Sequence, residues 1–263
     1  MEEAAPEFVT VGQGADARAI AYRLLPGGDE KPLIVWLGGY RSDMRGTKAA
    51  ELAAYAQANG LACLRLDYSG HGESGGTFSQ GTISRWLEEA LAVIGATPHK
   101  TLLLVGSSMG GWIALRALQE LRKAGEKTVT GLLLIAPAPD FTEALIEPSL
   151  GEAEWASLRE KGYFEERSEY SPEPNIFTAR LMDDGRANRV LEGIIQTGCP
   201  VHILQGMRDP DVPWSHAMRL VEHLPADDVV ISLVKDGDHR LSRPEDLELM
   251  RRALDSLLSE AHR

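Results

Sequence analysis

The sequence predicts an α/β fold: a mostly parallel eight-stranded sheet flanked by helices, with a helical lid insertion. Three observations predict it. Apolar runs of strand length alternate with amphipathic runs of helix length along most of the 263 residues. The strand runs are apolar at successive positions, as parallel strands covered by helices on both faces require. The opening segment reads instead as a hairpin, so an antiparallel start feeds the parallel sheet.

Taken in order, segment 7–25 carries two half-apolar runs around the turn residues Gly12-Gln13-Gly14, which gives the first two strands. Six further strands follow, at Leu33–Leu37, 62–67, 101–106, 131–136, 201–205 and Val229–Val234. Helices are expected between them at Thr47–Ala58, 83–94, 109–122 and 214–224. A last helix at 245–260 sets Leu247, Met250, Leu254 and Leu258 along one face, the pattern of a helix docked on a sheet. The rhythm fails only at 139–198, which has no strong strand, dense charge, and six of the sixteen aromatics: Phe141, Trp155, Tyr163, Phe164, Tyr170 and Phe177. Pro172 and Pro174 bracket a bend there. So many apolar residues exclude a disordered linker. They can form a small core of their own, line a substrate pocket from above, or do both; the reading adopted is a lid at 139–198 over a core made of 1–138 and 199–263.

A formal net charge of −12 excludes nucleic acid and anionic membrane as main partners, because both need a basic surface. Cys63 and Cys199 read as reduced thiols and not a bridge. The acidic start, Met1-Glu2-Glu3-Ala4-Ala5-Pro6-Glu7, has neither a basic n-region with an apolar h-region nor the Arg-rich pattern of a transit peptide. No apolar run reaches membrane-span length. A cytoplasmic protein is expected.

Chemistry concentrates at three strand ends. Gly106-Ser107-Ser108-Met109-Gly110 follows an all-apolar run and opens a helix-like stretch, the setting of a nucleophile elbow. A serine hydroxyl needs a base, and the base needs an orienting acid, expected after Ser108 in the order acid, then His. Behind 201–205 comes Gly206-Met207-Arg208-Asp209-Pro210-Asp211-Val212-Pro213; behind Val229–Val234 comes Lys235-Asp236-Gly237-Asp238-His239. Among seven histidines, His71 and His99 come too early. His202 lies in a strand, His216 and His223 in a helix, and His262 in the tail, which leaves His239 as the base. Asp209 and Asp211 compete for the acid. Asp209 is preferred, with Pro210 stiffening the turn behind it and Asp211 read as a solvated residue or a helix cap. Backbone N–H groups of Met109, next to the nucleophile, and of Tyr40, in the Gly38-Gly39 loop, are the expected oxyanion donors. Gly39, Trp155, Phe164 and Trp214 are the candidate substrate-contacting residues. No cofactor and no metal is implied, since His and Cys lack ligand spacing.

Trp36-Leu37-Gly38-Gly39-Tyr40, Asp67-Tyr68-Ser69-Gly70-His71-Gly72-Glu73-Ser74-Gly75-Gly76, segments 106–110 and 206–214, and Gly237-Asp238-His239-Arg240 together resemble the α/β-hydrolase superfamily. The likeness runs from about Phe8 to the final helix. Within it, Gly39-Tyr40 with Gly46-Thr47-Lys48-Ala49, Gly110-Gly111-Trp112, and Asp209 with Val212-Pro213-Trp214 resemble the branch of the mitochondrial palmitoyl-protein thioesterase, also described as an acyl-glucuronide esterase, and its bacterial relatives. The resemblance implies a Ser108–His239–Asp209 triad, and small-molecule or acylated-protein ester or thioester substrates with an apolar acyl part. Leu37-Gly38 stands where the superfamily often has a His before the oxyanion glycine. The 67–72 loop reads as structural, with Asp67 binding loop amides and His71 packing rather than catalysing. Two rivals are another bond type for the same fold, amide or C–C, and a non-catalytic binding relative, which would be expected to have lost a triad residue. Epoxide and haloalkane hydrolases would carry Asp at position 108.

Overall fold

A computed structural model describes residues 5–28, 30–167, 172–225 and 228–260. The sequence readings on the first four residues, on Tyr170 and on His262 lie outside these described residues. The strands are β1 (Glu7–Val11), β2 (Arg18–Leu25), β3 (Leu33–Leu37), β4 (Cys63–Leu66), β5 (Thr101–Ser107), β6 (Thr128–Ile135), β7 (Tyr163–Glu166), β8 (Asn175–Thr178), β9 (Val201–Gly206) and β10 (Val229–Val234). The helices are α1 (Thr47–Ala58), α2 (Ile83–Gly95), α3 (Met109–Ala124), α4 (Glu152–Lys161), α5 (Ala179–Ala187), α6 (Trp214–Glu222) and α7 (Pro244–Glu260).

Eight strands form one sheet in the order β1-β2-β4-β3-β5-β6-β9-β10. β2 pairs antiparallel with β1 and β4, and every other pairing is parallel. The expected antiparallel start is therefore present. β3 shows why its run had to be apolar throughout: all five residues are buried. Leu33, Val35 and Leu37 pack into the layer that holds α2, α3 and α6, whereas Ile34 and Trp36 face α1 and α7. Two apolar layers sandwich the sheet, which fixes the strand C-terminal ends in one row. Both cysteines are free, and burial pushes each thiol up to about 12. No helix among the described residues is long and apolar enough to cross a membrane.

Between β6 and β9 the chain departs from the sheet. It makes a short π-helical turn at Thr142–Ile146, then a 3-10 turn, α4, the antiparallel ribbon β7–β8, and α5. Helix alone was expected here; the ribbon is a correction. Its strands have four residues each, and in β7 only Phe164 is buried while Tyr163, Glu165 and Glu166 are exposed. So short and charged a run gives no alternation to read.

Candidate active site

Three strand ends bring Ser108, Asp209 and His239 together. β5 turns into α3 through Ser108, which adopts φ 55° and ψ −121°, a backbone region that L residues rarely occupy. The turn closes only because Gly110 has no side chain: a Cβ there would sit 2.0 Å from the Leu37 carbonyl oxygen. Ser108 N–H donates to the Ile135 carbonyl at 2.9 Å, which anchors the elbow to β6.

The Ser108 hydroxyl lies 3.1 Å from His239 Nε2, and His239 Nδ1 lies 2.8 Å from Asp209 Oδ2. Asp209 is buried and heavily hydrogen-bonded. Its Oδ1 accepts the N–H groups of Asp211 (2.9 Å) and Val212 (2.8 Å), and its Oδ2 also accepts the Gln205 amide at 3.2 Å. Asp211 contributes its backbone N–H to this cradle, and its side chain lines a cavity wall. Among the described residues, the one His, Cys, Asp and Glu group compact enough to hold a cation is Asp209, Asp211 and His239, within 4.8 Å. The Asp209 and His239 atoms in it are those engaged in the hydrogen-bond chain just described.

Tyr40 and Met109 flank Ser108, and neither backbone N–H has a hydrogen-bond partner among the described residues. Gly39 lets their loops meet; a Cβ there would stand 3.3 Å from both the Ser107 oxygen and Ser108 Cβ. The Tyr40 side chain ties this loop to the insertion. Its hydroxyl donates to the Ile176 carbonyl, and its ring stacks on Phe177 with centroids 5.2 Å apart. Burial raises the phenol well above its ordinary range, so it stays a donor.

His71 holds the next residue. Its ring is buried among Tyr68, Phe78 and Trp86, and burial pushes its pKa down to about 4. In the neutral ring Nδ1–H donates to the Ser69 carbonyl, so Nε2 accepts the Arg41 N–H, each at 3.2 Å. Arg41 has φ 56°, so this bond helps retain an unfavourable conformation beside Tyr40. The role of His71 is thus packing, as expected, plus a hydrogen bond to the Tyr40–Arg41 loop. A pH effect follows. The folded pKa lies below the ordinary 6.5, so between pH 6.5 and 4 the unfolded chain holds the extra proton. The stability from this residue is complete above pH 6.5 and is lost as pH falls toward 4. His71→Gln should remove roughly 3 kcal/mol of acid sensitivity across that window, read as the wild-type minus variant difference in urea unfolding at pH 6.5 and pH 4. An unchanged difference at the two pH values would refute it.

Two cavities open on Ser108 and His239. The larger, about 470 Å³, is walled by Met109, Ala138, Phe141, Leu145, Ile146, Phe177 and Val212, with Glu166 and Asp211 on its polar side. Burial, with the Asp211 charge adding, raises the Glu166 pKa. The smaller, about 330 Å³, is polar and includes Gly39, Arg41, Lys48 and Arg240. Of the expected contact residues, Gly39 lines one of these two cavities and Trp155, Phe164 and Trp214 line neither. Phe164 is one layer back, stacked on Phe177 at 5.3 Å; Trp155 packs against the core from α4; and Trp214 is 42% exposed at the start of α6. The aromatic residues of the larger cavity are instead Tyr40, Phe141 and Phe177. The available signal was Pro174 followed by Asn-Ile-Phe-Thr, which places Phe177 on the inner face of a short strand.

The profile of the alpha/beta hydrolase family matches residues 24–248. The human mitochondrial palmitoyl-protein thioesterase ABHD10 is 31% identical over 252 residues, covering 93% of this chain and 78% of that protein. A crystal structure from Agrobacterium vitis S4 superposes with a TM-score of 0.95 at 63% identity, covering 96% of this chain and 98% of its own. Mouse alpha/beta hydrolase domain-containing protein 10 gives a TM-score of 0.85 at 28% identity, over 98% and 99% of the two chains.

Proposed function

The chain belongs to the alpha/beta hydrolase family, and on that premise we propose that it is a serine hydrolase of carboxylic esters or thioesters with an apolar acyl group. The observation that carries the reading is the continuous hydrogen-bond chain from Ser108 through His239 to Asp209, set at the mouth of an apolar cavity. Ser108 Oγ attacks the acyl carbonyl while His239 Nε2 takes its proton. Asp209 keeps the imidazole proton on Nδ1 and steadies the imidazolium. The Tyr40 and Met109 N–H groups receive the oxyanion. His239 then protonates the departing alcohol or thiol, and a water molecule, deprotonated by the same ring, releases the acid. The human relative's description as a palmitoyl-protein thioesterase supports a long acyl chain and a thiol leaving group.

The test is labelling plus a chain-length series. A fluorophosphonate probe should modify Ser108, read by peptide mass spectrometry; no adduct there would sink the serine-hydrolase reading. On p-nitrophenyl esters kcat/KM should rise from acetate to octanoate. Each buried methylene is worth about 0.8 kcal/mol, so the steps should approach about fourfold each until the cavity is full. A preference for acetate would argue against an apolar acyl group. Turnover of anilides in preference to esters would favour amide hydrolysis.

A further inference from the structure

The second cavity has chemistry the acyl group does not use. It is lined by donors from separate elements. Trp36, at the end of β3, is 2% exposed, lines the cavity, and its indole Nε1–H has no hydrogen-bond partner among the described residues. The nitrogen is buried, and a Cβ at Gly38 would stand in contact with it at 3.6 Å, so glycine keeps a side chain off this edge of the indole. α1 begins at the cavity wall with Gly46 as its N-cap, and no side chain caps it. Its first N–H groups and positive dipole end therefore suit an anion. Lys48, Arg240 and Arg41 line it together with one carboxylate, Asp43, and the charges of Asp238, Asp246 and Asp209 also reach Lys48, in a protein of net charge −12. Arg41 also pairs with the exposed Glu173 at 2.8 Å. The Lys48 ammonium donates to the Arg240 carbonyl and to Ser242 Oγ at 3.4 Å, which holds it at the His239 loop. Burial and the Arg240 charge lower Lys48 to about 8, which leaves it mostly protonated at neutral pH. Arg41 lines both cavities; the other charged side chains of the apolar one are the acids Glu166 and Asp211, whereas the polar one adds Lys48 and Arg240.

We propose that this cavity binds a phosphate carried by the alcohol or thiol half of the substrate. The inference rests on the serine-hydrolase reading and names its leaving group. A buried, unpartnered indole N–H, an uncapped helix start and a lysine come from separate positions in the fold. Three phosphate oxygens can meet them at once, whereas a planar carboxylate has two. With the phosphate held there, the scissile bond spans Ser108 and the acyl chain enters the apolar cavity. The Ser108 Oγ–acyl bond forms as the acyl–sulfur or acyl–oxygen bond breaks. The proton taken by His239 passes to the departing atom, and water completes the cycle.

The experiment compares S-octanoyl thioesters of 2-mercaptoethyl phosphate, 3-mercaptopropionate and 2-mercaptoethanol on the full chain. The phosphate thioester should exceed the neutral one at least tenfold in kcat/KM, and Lys48→Met and Trp36→Phe should each pull that ratio toward one. Because each ratio is taken within one variant, a general loss of activity does not disguise the result. Equal rates for the phosphate and neutral thioesters, or for the phosphate and carboxylate ones, would overturn the proposal. Calorimetric titration of Ser108→Ala with 2-mercaptoethyl phosphate separates this from the hydrolase reading, because it needs no turnover. Binding that is weakened tenfold by adding Lys48→Met supports the site even if no thioester is cleaved. An absence of binding overturns the site even if simple esters are turned over.

Discussion

Asp209→Asn should lower kcat on p-nitrophenyl octanoate by about 10⁴-fold, the size of effect seen when the acid of a serine triad becomes an amide. Asp211→Asn should change it by less than about threefold, since a side chain outside the triad's proton path loses little transition-state stabilisation. The cause is the direction of donors around Asp209. Its Oδ1 accepts two backbone N–H groups, from Asp211 and Val212, so an asparagine must place its carbonyl there. Its NH₂ then faces His239 Nδ1 and the Gln205 amide, where Oδ2 accepts at 2.8 Å and 3.2 Å. His239 must answer a donor with an acceptor. Its proton moves to Nε2, the atom 3.1 Å from Ser108 Oγ, and the ring can no longer take the serine proton. Asp211 enters this cradle through its backbone, which the substitution retains. Rates from the two variants, with circular dichroism to show that both fold, decide the assignment. If Asp211→Asn were the slow one, Asp209 would be only a loop-bracing residue.

Much of this arrangement is legible in the residues, for a physical reason. Strands buried on both faces are largely apolar, so β3 and β5 announce themselves, β9 does so less cleanly with His202 and Gln205 among its buried residues, and the loops behind β5, β9 and β10 carry Ser, Asp and His. Short-range signals also place the hairpin and the ends of α1. The cavity wall is different. Phe141, Leu145 and Ile146 lie in irregular turns, and the ribbon pairs Phe164 with Phe177 across a bend. Which aromatic reaches Ser108 depends on tertiary packing that no local period encodes, so Trp155, Phe164 and Trp214 are poor guides. Tyr40 is the instructive case. The sequence reads only its amide, yet its ring and hydroxyl hold the ribbon against the loop. The Gln205 amide, which donates to Asp209, the Gly206 carbonyl and the Val212 carbonyl, likewise reads locally as one more strand residue.

Gly206→Ala should damage the site without touching the elbow. Gly206 ends β9, and a Cβ there would lie 2.4 Å from the Gly237 carbonyl oxygen and 2.5 Å from that of Asp238. Both are backbone atoms of the loop that carries His239, so no side chain can rotate away. Contacts under 3.0 Å are essentially never adopted, which demands a shift of roughly 0.6 Å between the acid and base loops. Those loops are bonded through Met207 N–H to the Val234 carbonyl and Arg208 N–H to the Gly237 carbonyl, each at 2.9 Å, so the displacement reaches the triad. A misplacement near 1 Å can cost about 10²-fold, and kcat should fall by that order. The overpacked crossing should also cost roughly 1–3 kcal/mol of stability. Gly193→Ala is the control, because its Cβ would meet nothing within 4 Å. Fluorophosphonate labelling separates the two possible causes. If the loops part while the elbow survives, labelling slows in step with kcat and the far-ultraviolet spectrum is unchanged. If kcat stays within twofold of wild type, the close approach of β9 to the His239 loop does not set the triad's geometry.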